Sequence, residues 1–62
     1  MRITLNGADV ECDAPTITLL LGDVPIGCAV AVNHEVVPRS VHHTHPVNDG
    51  DTVEVVAAVA GG

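Results

Sequence analysis

Apolar and polar residues alternate over the first dozen positions. Ile3 and Leu5 are interleaved with Arg2 and Thr4, and Val10 and Cys12 with Asp9, Glu11 and Asp13. A period of two predicts strands with one apolar face. Asn6-Gly7, between the two runs, is a strong signal for a two-residue hairpin turn, whose central positions need positive φ. The reading is an N-terminal β-hairpin with Ile3, Leu5, Val10 and Cys12 on its inner face and carboxylates on its outer one.

The period then changes. Ile17, Leu20 and Leu21 fall at i, i+3 and i+4, which predicts one turn or more of amphipathic helix, with Thr16 as N-cap and Gly22 as stop. After the connector from Gly22 to Gly27, Ala29 to Val32 is a β-type run, Asn33-His34 a tight turn, and Glu35 to Val37 a short strand closed by Pro38. Ser40 to Pro46 reads as a histidine-rich loop and Asn48 to Asp51 as a turn. Thr52 to Val56 alternates again as a last strand, and 57–62 reads as a flexible C-terminal tail of ever smaller side chains. Hairpin, helix, strands and a final strand within 1–62 give a single α+β domain, one short helix lying across one face of a small sheet.

Composition narrows what such a domain does. Sixty-two residues enclose too little interior to wall off a large substrate cavity, so a carrier, binding module or subunit fits better than an autonomous enzyme. The chain is 47% apolar yet has no Phe, Trp or Tyr, so the core is built from Val, Ile, Leu and Ala. Without aromatic stacking platforms, and with two basic residues against eight acids, nucleic acid is a poor partner. The net charge of −6 favours solubility and would steer a basic protein partner toward the surface. No charged-then-apolar leader opens the sequence and no run approaches the roughly 20 apolar residues of a membrane helix, so a cytoplasmic, reducing setting is expected. Cys12 and Cys28 are too far apart for a CxxC element and share the phase of apolar neighbours, which predicts small buried thiols.

The pair Gly61-Gly62 carries the chemistry. At a background of about 7% glycine, two in succession at a chosen chain end arise in roughly 0.5% of sequences. Glycine lets an extended backbone enter a slot too narrow for any Cβ, where the last carboxylate can meet a nucleotide phosphate. A carboxylate is a poor acyl donor until its oxygen joins a good leaving group; adenylation supplies AMP, and sulfur can then attack to give a terminal thiocarboxylate. The residues alone leave open a frayed end without a role.

The segment from Ala29 to Ser40, AVAVNHEVVPRS, resembles the corresponding part of the ThiS family of sulfur carriers in thiamine biosynthesis. So does DGDTVEVV over Asp49 to Val56, followed by AAVA and Gly61-Gly62. The resemblance implies a ubiquitin-like β-grasp fold with a small mixed sheet. It also implies an E1-like adenylyltransferase, a thiazole synthase and a sulfur-donor protein as partners. ATP and Mg²⁺ would belong to the adenylating partner, with no cofactor bound by this chain. Gly62 takes the acyl-transfer position and Gly61 that of its slim neighbour. The helix and connector are several residues shorter than the family usually has, and His42-His43 stands where an aromatic and an acid are common. Molybdopterin-synthase small subunits share fold and tail, and remain the nearest alternative. A β-grasp binding module, linked to metal through the histidine loop, is the alternative from another class.

His34, His42, His43 and His45 invite that metal reading, but no Cys or carboxylate stands at familiar ligand spacing beside them, so solvated loop histidines and no metal site are expected. Val53 and Val55 continue the core phase of the last strand. That leaves Val56 and Ala58 on the opposite face, near the tail, as candidate partner-binding residues.

Overall fold

The computed structural model describes residues 1–57. Strands β1 (Arg2–Leu5) and β2 (Ala8–Glu11) form the expected antiparallel hairpin, with Ile3 opposite Val10. The turn residues Asn6 and Gly7 have φ of 50° and 83°, the left-handed pair that a twisted two-residue hairpin requires. Helix α1 (Ile17–Leu21) is a single turn and a half. Thr16 caps it, its hydroxyl oxygen accepting the Leu19 N–H, and Gly22 ends it at φ 69°. Strands β3 (Cys28–Val32) and β4 (Glu35–Val37) form a second antiparallel hairpin through Asn33 and His34. A short 3₁₀ turn, Arg39–Val41, leads into the histidine-rich segment, and β5 (Thr52–Ala57) closes the order.

The sheet order is β2-β1-β5-β3-β4. The last strand is thus the central one. It runs parallel to β1, with Thr4 beside Thr52 and Leu5 beside Val53, and antiparallel to β3 over five residue pairs from Cys28–Ala57 to Val32–Val53. One residue therefore moves between elements: Ala57, read from the sequence as the start of the tail, is the last ladder residue of β5.

The alternation puts Ile3, Val30, Val32, Val37 and Val53 on one face, where they pack with Ile17 of the helix. Val24 of the connector and Val47 beyond the histidines close the ends of this core, and Leu20, Leu21, Val10 and Val55 line it. Burial of aliphatic groups at about 25 cal/mol per Å² is the only large favourable term available to a core without aromatics. Cys12 and Cys28 are free thiols packed against it, but both are half-buried rather than enclosed as expected. Cys28 is the first residue of β3 and Cys12 lies one residue past the end of β2, at the margin of the sheet.

The histidine-rich segment departs most from its reading as a solvated loop. It is the acceptor for the helix N-terminus: Ile17 donates to the carbonyl of His45 and Thr18 to that of His42, while Val47 donates to Pro15. Two of the N–H groups that a helix start leaves unpaired are satisfied this way. His42 is buried, at 7% exposure, its Nε2 donating to the Val37 carbonyl at 3.1 Å, which fixes the proton on that nitrogen. A buried imidazole needs such a partner.

Candidate functional site

The site is assembled from the end of β5 outward. Ala57 pairs with Cys28 and Val56 with Ala29, so the strand is held in ladder on its β3 side to its last residue. Val53 is fully buried and Val55 half-buried on the core face. Val56 is 48% exposed on the other, as its phase predicts. That second face carries no helix, and Ala31 pairs there with Val36, itself 70% exposed. A shallow apolar strip of Val56, Ala29, Ala31 and Val36 results. Ala58, Gly61 and Gly62 lie outside the described residues.

Charge is distributed unevenly around this strip. All eight side-chain carboxylates and both arginines fall outside the stretches 24–33 and 55–62, so neither stretch carries a charged side chain, with Asp23 bordering the first. At the far edge of the sheet, Glu11 hydrogen-bonds the Met1 amine and, together with the charge of Asp13, holds it above its usual range. Arg2 is engaged there too, with Glu11 at 3.3 Å. Arg39, the other basic residue, donates to the carbonyls of Val24 and Pro25 in the connector. Nothing in the local sequence pattern foretold that pairing. Its signal was only an arginine close to a connector rich in unpaired carbonyls.

The four histidines do not converge. His34 stands exposed on the β3–β4 turn with Nδ1 3.8 Å from Glu54, His42 is buried against Val37, His43 is exposed, and His45 bonds the Pro46 carbonyl through Nδ1. No group of three or more His, Cys, Asp or Glu residues suited to a metal occurs among the described residues. A groove of about 260 Å³ runs between the β3–β4 turn and Pro46 to Asp51, at the opposite end of β3 from the Cys28–Ala57 pair. No helix among the described residues is long and apolar enough to cross a membrane.

A mixed five-stranded sheet with its last strand in the middle and a short helix across one face is the ubiquitin-like β-grasp, the class to which this exposed strand end belongs. The crystal structure of a ThiS thiamine-biosynthesis protein from Geobacter metallireducens superposes over all of both chains with a TM-score of 0.83 at 30% identity. The ThiS family model matches residues 3–62, and the chain belongs to the ThiS family. It is 35% identical to the sulfur carrier protein ThiS of Escherichia coli K12 over the full length of both. It is also 38% identical, along all of its own length, to part of a thiazole synthase from Paramagnetospirillum magneticum, of which it spans 20%.

Proposed function

We propose that this chain is a sulfur carrier of thiamine biosynthesis whose working group is the carboxylate of Gly62. The observation that carries the reading is the match to the ThiS family through to residue 62, with the whole chain similar to a sulfur carrier of equal extent. The chain is a protein substrate and not itself the catalyst. In the proposed cycle an oxygen of the Gly62 carboxylate attacks the α-phosphate of ATP on an E1-like adenylyltransferase, pyrophosphate leaves, and the acyl adenylate forms. A persulfide sulfur of a donor protein then displaces AMP to give an acyl persulfide, and a thiol reductant cleaves its S–S bond, forming a disulfide with the donor and releasing the Gly62 thiocarboxylate that delivers sulfur to a thiazole synthase. ATP and Mg²⁺ reside on the adenylating enzyme.

Each tail residue has a physical part in this scheme. Gly61 keeps the backbone slim enough for the partner's slot. Val56 and Ala58 supply apolar contact beside it, Val56 from the open sheet face. The similarity to part of a thiazole synthase supports that enzyme as a partner. A cytoplasmic, reducing setting is consistent with the free Cys12 and Cys28 and would preserve a thiocarboxylate. Intact-mass analysis of the protein isolated from its own cell is the test. Replacement of one terminal oxygen by sulfur is expected, together with ATP–pyrophosphate exchange in the presence of the adenylating enzyme. A tail that is never adenylated or sulfurated would overturn the reading.

A further inference from the structure

We propose that Ile26, presented on a turn pinned by Arg39, is a docking contact for the thiazole synthase; the inference rests on the carrier reading above and names the surface that one of its partners recognises. Single apolar residues on a protein surface are ordinary. Three observations set Ile26 apart. Among the described residues it is the most exposed of the large apolar side chains, at 90%.

The backbone around it is also pinned. Val24 before it is buried in the core, and Gly27 after it has φ 92°, open to glycine at little cost. The Cys28 N–H closes the turn on the Pro25 carbonyl at 3.1 Å. The Arg39 guanidinium then donates to both the Val24 and Pro25 carbonyls. One of only two basic side chains in the protein is thus committed to fixing the two residues ahead of Ile26. A pinned backbone limits the ordering cost of binding to what the side chain itself loses.

The third observation is position. Ile26 stands two residues before Cys28, which pairs with Ala57, so the turn lies at the end of the sheet where β5 runs out. Val56, Ala57 and Pro25 are exposed at the same end, and the stretches 24–33 and 55–62 carry no charged side chain in a chain of net charge −6. An enzyme that engages the chain at the end of β5 meets exposed apolar side chains there, with Asp23 the one side-chain carboxylate of the connector. The occupant follows from the similarity to part of a thiazole synthase: there a carrier-like stretch and the synthase are one polypeptide, which brings the two surfaces together. In this chain the surface at the end of β5 makes that encounter.

The test measures the affinity of the full 62-residue chain for the thiazole synthase of the same organism by calorimetry, with thermal melts and ATP–pyrophosphate exchange on the same samples. Ile26→Asp is expected to weaken synthase binding at least about tenfold, and Ile26→Ala by a smaller factor in the same direction. Leu19→Asp, on the exposed side of the helix, changes it less than about twofold. Arg39→Ala acts through the turn, so its loss of affinity in the Ile26→Ala background is smaller than in wild type, whatever it does to the melt. Wild-type affinity in Ile26→Asp, equal losses in Ile26→Asp and Leu19→Asp, or no binding of the wild type to the synthase would each overturn the proposal. So would a defect of Ile26→Asp confined to pyrophosphate exchange, which would give the contact to the adenylating enzyme. Absence of exchange and of thiocarboxylate in the wild type is the separate result that removes the carrier reading itself.

Discussion

Asp51 joins three segments with one buried carboxylate. Its Oδ2 accepts the Asn48 N–H at 2.8 Å, and its Oδ1 accepts from the Asn33 side chain at 3.0 Å. The Asn33 amide oxygen in turn accepts the Thr52 N–H at 3.0 Å. The β3–β4 turn, the turn before β5 and the first residue of β5 are thereby registered against one another. Replacing Asp51 with Ala strands an amide donor at each of two partners, and unmade hydrogen bonds at part-buried groups cost about 1–3 kcal/mol. That is a large share of what a domain of this size can hold. Asp51→Ala is expected to lower the urea midpoint accordingly, with Asp51→Asn closer to wild type because it keeps an acceptor. Equal midpoints for wild type and Asp51→Ala would show that the network sets geometry and contributes no stability.

At the scale of elements, the second hairpin carries an unusual turn. Asn33 and His34 both occupy the left-handed region, at φ 52° and 71°. Asn tolerates it, but for an ordinary L-residue the conformation costs about 1–2 kcal/mol, whereas glycine's greater entropy loss costs roughly 0.5–1. His34→Gly, which recreates the Asn-Gly pair of the first hairpin, is therefore expected to stabilise the protein by about 0.5 kcal/mol. For a domain this small that is roughly 2–4 °C in Tm. An unchanged or lower Tm would mean that the exposed His34–Glu54 contact outweighs the strain.

The elements themselves were legible in the sequence because their causes are local. Asn6-Gly7, the two-residue alternation, Thr16 and Gly22 each act within a few residues of where they stand. Other features depend on partners distant in the chain. The parallel pairing of β1 with β5 joins Thr4 to Thr52. His42 is buried because its backbone carbonyl caps a helix more than twenty positions earlier. Arg39 reaches back to Val24. No periodicity encodes these, and the loop composition around His42 pointed the other way. Of the candidate site, the face of Val56 followed from phase, while the pinned turn of Ile26 required the fold.

For the molecule as a whole, fold and chemistry are expected to separate. The core is aliphatic and continuous, the thiols are free, and the histidines are dispersed. Chelator and reductant should therefore leave the thermal transition nearly unchanged, and a clear loss of Tm with chelator would restore the metal-linked module. Deleting Gly62, or changing Gly61 to Val, is likewise expected to leave the melt within error, since terminal residues contribute little to stability. Adenylation should fall at least about 100-fold. Deletion withdraws the carboxylate by up to roughly 3.6 Å, and displacements near 1 Å already carry penalties of that order. Pyrophosphate exchange at the wild-type rate in both variants would remove the tail from the mechanism.

The central place of β5 has a mechanical consequence. A pull on the end of this strand, such as an enzyme exerts when it clasps and releases what lies beyond Ala57, is delivered to the middle of the sheet. There β1 grips it on one side and β3 over five residue pairs on the other. Because the load runs along the strand, these bonds are sheared together; an edge strand such as β4, pulled sideways, would unzip one bond at a time. Force applied at the end of β5 is thus shared across the interior ladder, and the strand can be pulled repeatedly without unravelling the body that carries it.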